Sequence, residues 1–184
     1  MATPPSFTAG QVLTAAQMNK IGMWYIKEAT LTGTTVNITS CFSSDFDAYV
    51  LVLSNAKTAA AVVTSFQLLS GSTPASGANY NNQRLSVVST TITGTQALSQ
   101  TSGYLGTFGN DVESGYTINI YNPYLAKKTA TYSSGLYSGN VGYAYLETLG
   151  TFHGLSTSYD GISVIATGSS WSSGKAIVYG LRQA

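Results

Sequence analysis

Charge is scarce in this chain. Eight Lys and Arg and seven Asp and Glu account for 8% of its 184 residues, against about 25% in an ordinary soluble domain. The net charge of +1 leaves no electrostatic footprint for nucleic acid, whose binding draws on clustered basic side chains. Lys127-Lys128 is the only basic pair, and it reads as a solvated loop. Cysteine is almost absent too: Cys41 stands alone, which excludes an internal disulfide and a Cys-x-x-Cys zinc knuckle. No window reaches the roughly 18 continuous apolar residues of a membrane-spanning helix, so membrane insertion is not expected. Met1-Ala2-Thr3-Pro4-Pro5 has no basic stretch leading into an apolar run, so no secretory leader is expected either.

The same scarcity limits the chemistry. His153 is the only histidine, and a Ser/His/Asp triad would need it aligned with a serine and with an acid such as Asp160. No Gly-x-Ser-x-Gly elbow occurs. Asp45-Phe46-Asp47 offers two carboxylates on one face of a strand, which with Glu147 could serve glycoside hydrolysis. No Asp-rich loop accompanies them, and solubility and turn capping are the simpler reading. Gly103-Tyr104-Leu105-Gly106 lacks the lysine and the following helix of a phosphate loop. The expectation is a protein with no catalytic residues, no cofactor and no metal.

Hydroxyls take the place of charge. Ser and Thr number 24 each, beside 19 Gly and 13 Tyr. Such a surface stays hydrated without net repulsion, and near-zero charge favours association. From residue 23 onward β signals dominate. Residues 34–39, 116–120 and 162–166 alternate with a period of two, while 46–53 and 61–69 are apolar on both faces, as in covered strands. Further strands are expected at 23–27, 80–88, 103–108, 130–132, 142–149, 152–156 and 175–181, with 70–79 a loop of small residues. Turn signals about every eight to twelve residues point to an antiparallel sandwich or barrel. Neither a fixed-period repeat nor heptads are present. The expected fold is an all-β, antiparallel, jelly-roll-like sandwich over residues 23–184.

Residues 1–22 differ in kind. Thr14 and Gln17 fit a capping box, Leu13 and Met18 a hydrophobic staple, and Gly22 a helix stop. The helix so defined is far shorter than the roughly 12–15 residues needed for independent stability. It has to dock, and residues 1–22 are therefore read as an attachment arm. The tyrosines form a second candidate surface. Tyr132, Tyr137, Tyr143 and Tyr145 occupy a Gly/Ser-rich stretch suited to adaptable contacts, with a glycan or with another subunit. Trp171, between two Ser-Ser pairs, is expected on an exposed loop.

The opening Phe7-Thr8-Ala9-Gly10-Gln11-Val12-Leu13-Thr14-Ala15-Ala16-Gln17-Met18-Asn19 resembles a phrase near the start of tail-fibre-like and other minor virion proteins of tailed bacteriophages. Phe46 to Leu53 and Ile177 to Leu181 are similar to strands of their β-sandwich domains. The resemblance implies a structural virion protein, commonly a trimer, assembled in the bacterial host cytoplasm and fastened to the particle by its N-terminal segment. Phe7, Val12, Leu13, Met18 and Ile21 would then be the anchor, and the partners would be other copies, neighbouring tail or capsid proteins and a host-surface glycan. Without a shaft repeat, a compact knob or a capsid decoration protein fits better than a long fibre, and a free carbohydrate-binding module is the alternative outside the virion. Deleting residues 1–22 is expected to leave the β domain folded by circular dichroism while abolishing its incorporation into particles; normal occupancy of the truncated protein would remove the anchor assignment.

Overall fold

Alternation of large apolar with small polar side chains is the dominant local pattern, and in the computed structural model it resolves into strands alone. The structure describes residues 10, 12, 22–138 and 144–181. The expected helix lies outside the described residues, and no helix occurs within them. Thirteen strands follow in chain order: β1 (Met23–Thr30), β2 (Thr35–Ile38), β3 (Ala48–Thr58), β4 (Val62–Ser70), β5 (Thr73–Pro74), β6 (Tyr80–Val88), β7 (Thr91–Gln100), β8 (Gly103–Phe108), β9 (Ser114–Tyr121), β10 (Thr129–Ser138), β11 (Ala144–His153), β12 (Gly161–Ile165) and β13 (Trp171–Leu181).

Two antiparallel sheets result. The larger runs β1-β13-β3-β9-β10-β11-β6-β7, and the smaller runs β2-β12-β4, with β5 and β8 both paired to β4. Their inner faces share one core. Tyr49, Leu51, Leu53, Ile118, Ile120 and Val178 of the larger sheet meet Ile38, Phe66, Leu68, Leu105, Ile162 and Val164 of the smaller. Such packing of two pleated faces is the driving force of the fold, at about 1.5–3 kcal/mol for each large side chain buried.

The smaller sheet covers only part of the larger. β8, its last strand, lies over β10 and β11, and two glycines let it approach. A Cβ at Gly103 would strike the Phe66 ring, and one at Gly106 the Tyr116 ring. Hydroxyls then tie the layers: Ser133 Oγ of β10 donates to the Leu105 carbonyl of β8 at 2.9 Å, and the Tyr80 hydroxyl of β6 accepts the Leu68 amide of β4 at 3.0 Å. Beyond β6 the edge strand β7 overhangs. Every residue of β7 is exposed apart from the half-buried Ala97.

Three sequence expectations are corrected here. Residues 142–149 and 152–156 do not form two strands, because β11 runs unbroken through Gly150. β7 takes up residues that carried no strand expectation. Trp171 is not on an exposed loop. It opens β13, is 3% accessible, donates its amide to the Gly33 carbonyl at 2.8 Å and stands edge-on to Phe108 with ring centres 5.0 Å apart. The serines around it mark an irregular strand start, where the register with β3 shifts twice, and serine composition alone does not separate that from a loop.

Candidate functional site

The carboxylates considered for catalysis are not brought together. Asp45 is exposed, and its carboxylate is paired with Ser43 Oγ at 3.2 Å. Asp47 precedes β3, whereas Glu147 lies level with Leu53 across β9 and β10, so six residues along the strand and three strand spacings across it hold the two about 25 Å apart. Glu147 is fully buried. One of its oxygens accepts Arg84 Nε at 2.7 Å and Thr107 Oγ1 at 3.0 Å, and the Arg84 Nη2 completes the ion pair. The other accepts the Tyr116 hydroxyl and the Thr107 amide, each at 2.8 Å. Burial and the adjacent Glu147 charge push the Tyr116 phenol upward, so it remains a donor. Both carboxylate oxygens are thus engaged by the protein. The role visible here is structural, since the cluster joins β11, β6 and β9 to β8 of the opposite sheet.

His153 and Asp160 form no dyad. Asp160 Oδ1 accepts the Gly71 amide at 2.8 Å. The His153 ring sits between Tyr80 and Tyr159, with centres 4.5 and 5.3 Å away, and neither ring nitrogen has a hydrogen-bond partner. Burial lowers its pKa from the ordinary 6.5. Cys41 is buried and donates to the Ile38 carbonyl at 3.2 Å. Burial pushes its thiol up to about 12. Among the described residues no three His, Cys, Asp or Glu cluster in a way that could hold a metal ion, and no helix is long and apolar enough to cross a membrane.

The tyrosine stretch divides. Tyr137 and Tyr145 are directly opposed on β10 and β11, and their rings stack at 4.7 Å. Stacking occupies one face of each ring. Tyr132 points the opposite way, to the outer face of the larger sheet. Tyr143 lies outside the described residues. Of the expected anchor, Val12 is exposed, while Phe7, Leu13, Met18 and Ile21 also lie outside them.

What the strand pattern left unseen is the outer face as a surface. Register sets Leu136 of β10 opposite Leu146 of β11, Leu146 opposite Val87 of β6, and Val87 opposite Ile92 of β7. Leu136 is 55% exposed, Leu146 50% and Ile92 69%. A second row joins Tyr121, Ala130 and Phe152, with Tyr132 and Leu85 between the rows. All these large side chains except Val87 are exposed. From β9 to β7 no outward position is Asp, Glu, Lys or Arg; Lys128 only touches the rim, its Nζ 5.5 Å from the centre of the Phe152 ring. Alternation along each strand was legible, but the rows depend on strand order, which no single strand encodes.

Comparison with protein-family models, with curated proteins and with solved structures gives no match.

Two outcomes check the interior. Arg84→Met is expected to lower stability by about 3–5 kcal/mol in urea unfolding, because it strands the Glu147 charge in the interior; adding Glu147→Gln should restore part of the loss, and an equal loss in the double variant would contradict the pairing. Because the folded state depresses the His153 pKa, the unfolded chain takes up a proton first as pH falls through about 6.5. Stability should therefore drop between about pH 7.5 and 5, and a His153→Phe variant that keeps the same slope would exclude this origin.

Proposed function

We propose that this chain is a non-enzymatic structural subunit that completes its burial against neighbouring subunits through the outer face of the larger sheet, as a component of a tailed-phage virion. The part of that face from β9 to β7, free of charge and carrying exposed rows of Leu, Ile, Tyr and Phe, carries this reading. Contiguous apolar surface of that kind on a small domain marks an interaction site. The absence of charge removes the cost of bringing two such faces together.

Strand order adds support. β1-β13-β3-β9 and β2-β12-β4-β8 are, we infer, the two four-stranded sheets of a jelly roll, with β6–β7 and β10–β11 as hairpin insertions that extend the first sheet. Jelly rolls build viral capsid and lectin domains among others, so the fold is compatible with the assignment without fixing it. Placement in a virion rests on the opening segment's resemblance to tail-fibre-like and minor virion proteins, which also implies three copies and a tail-associated position.

Light scattering on the full chain is expected to give the mass of a trimer or of a multiple of it. Leu146→Arg should stay folded but lose the threefold association, since covering an unpaired guanidinium costs roughly 3–5 kcal/mol, enough to weaken that contact by more than about a hundredfold. A wild-type chain that stays monomeric at all concentrations, or a Leu146→Arg variant of unchanged mass, would overturn the reading.

A further inference from the structure

β7 is a ten-residue strand held on one side only. It pairs with β6 and ends the sheet, so along its other side alternate amides and carbonyls face outward with no strand beyond, among the described residues. Natural sheets blunt such edges with Lys, Pro or short length. β7 has none of these: no charged residue occurs between Arg84 and Asp111, and Thr91–Gln100 contains no proline. Its one irregularity is a bulge near its end, where the register with β6 shifts between Tyr80 and Asn82 and Ser99 takes a positive φ of 53°. The strand is regular up to that point.

The two large apolar residues of this edge lie symmetrically, three positions either side of Thr95. Centred on Thr95, antiparallel pairing of β7 with itself sets Ile92 opposite Leu98, Thr93 opposite Ala97 and Gly94 opposite Gln96. Ile92 and Leu98 are the strand's two large apolar side chains, 69% and 56% exposed, and cross-strand apolar pairs of this kind stabilise a ladder by about 0.2–1 kcal/mol each. The pairing also lengthens the row Leu136, Leu146, Val87, Ile92 by the second copy's Leu98. The β7 edge offers nothing to a charged peptide, and a net charge of +1 sets no repulsion against another copy.

We propose that β7 binds β7 of a second copy, antiparallel about a two-fold axis at Thr95, joining the two larger sheets into one. This deepens the assembly reading, on which it rests, by naming a second contact. Being two-fold, it acts between assemblies rather than within a ring of three.

The test is oxidative cross-linking of the full chain carrying Thr95→Cys, with the native Cys41 thiol buried out of reach. Only residues directly opposed across a ladder bring their Cβ atoms to about 4.5–5.5 Å, close to disulfide reach. A neighbour held in register presents its thiol at an effective concentration in the millimolar range, so covalent dimer should form at least about tenfold faster than with Thr73→Cys on the exposed β5. Thr93→Cys and Ala97→Cys should cross-link when mixed and hardly at all alone. Thr95→Lys, with an unchanged circular dichroism spectrum, should abolish the two-fold species in sedimentation. Cross-linking of Thr95→Cys no faster than the control, or association unaltered by Thr95→Lys, overturns the proposal. Leu146→Arg lies off this edge, so loss of the face contact with cross-linking intact, or the reverse, separates the two readings.

Discussion

Taking the Glu147 carboxylate out of water obliges four strands to keep their places. An ion in the interior is tolerated only when its oxygens are filled, and the fillers come from β6, β8 and β9 around β11. β8 belongs to the other sheet, so the same contacts fix how far the smaller layer reaches across the larger. The two glycines of β8 and the Tyr116 ring are part of that arrangement, since closer or looser packing would pull the phenol and the Thr107 amide off the carboxylate. Where β8 stops, the core stops, and β7 is left outside it.

The rest of the architecture follows from where so few charges are spent. One ion pair is interior; another, Lys175 with Glu28, is exposed near the far edge of the larger sheet. Of the other charges among the described residues, Asp160 serves a turn by accepting the Gly71 amide, and Lys27 donates to the Thr39 carbonyl at 2.7 Å. Hydroxyls meanwhile satisfy buried carbonyls, with Thr64 on Gly106 at 2.8 Å and Ser133 on Leu105 at 2.9 Å. An inside built from Ser and Thr as well as Leu and Ile resembles the outside in composition, and neutrality is spread over the whole molecule.

That resemblance explains what could be read from the sequence and what could not. Period-two alternation at 116–120 and 162–166 and the apolar runs at 46–53 and 61–69 located strands near the centre, because packing there selects large side chains on a fixed face. At the periphery the signal faded. Trp171 is buried although serines surround it, and Thr91–Gln100 is a strand although its faces are almost bare; both owe their conformation to ladder bonds, which leave little trace in local composition. Glu147 was legible as a carboxylate in a strand, but its partners lie up to 63 residues away in sequence. The candidate site was the least legible element, since a row of side chains across four strands exists only once strand order is set.

Cys41 bears on where such a molecule can travel. With its sulfur covered and its thiol pushed up to about 12, the chain presents essentially no thiolate at neutral pH, the form that oxidants and disulfides attack. Thiol–disulfide chemistry consequently has no handle on it. The same fold can persist in a reducing interior and in an oxidising exterior without a protective bridge or a vulnerable thiol.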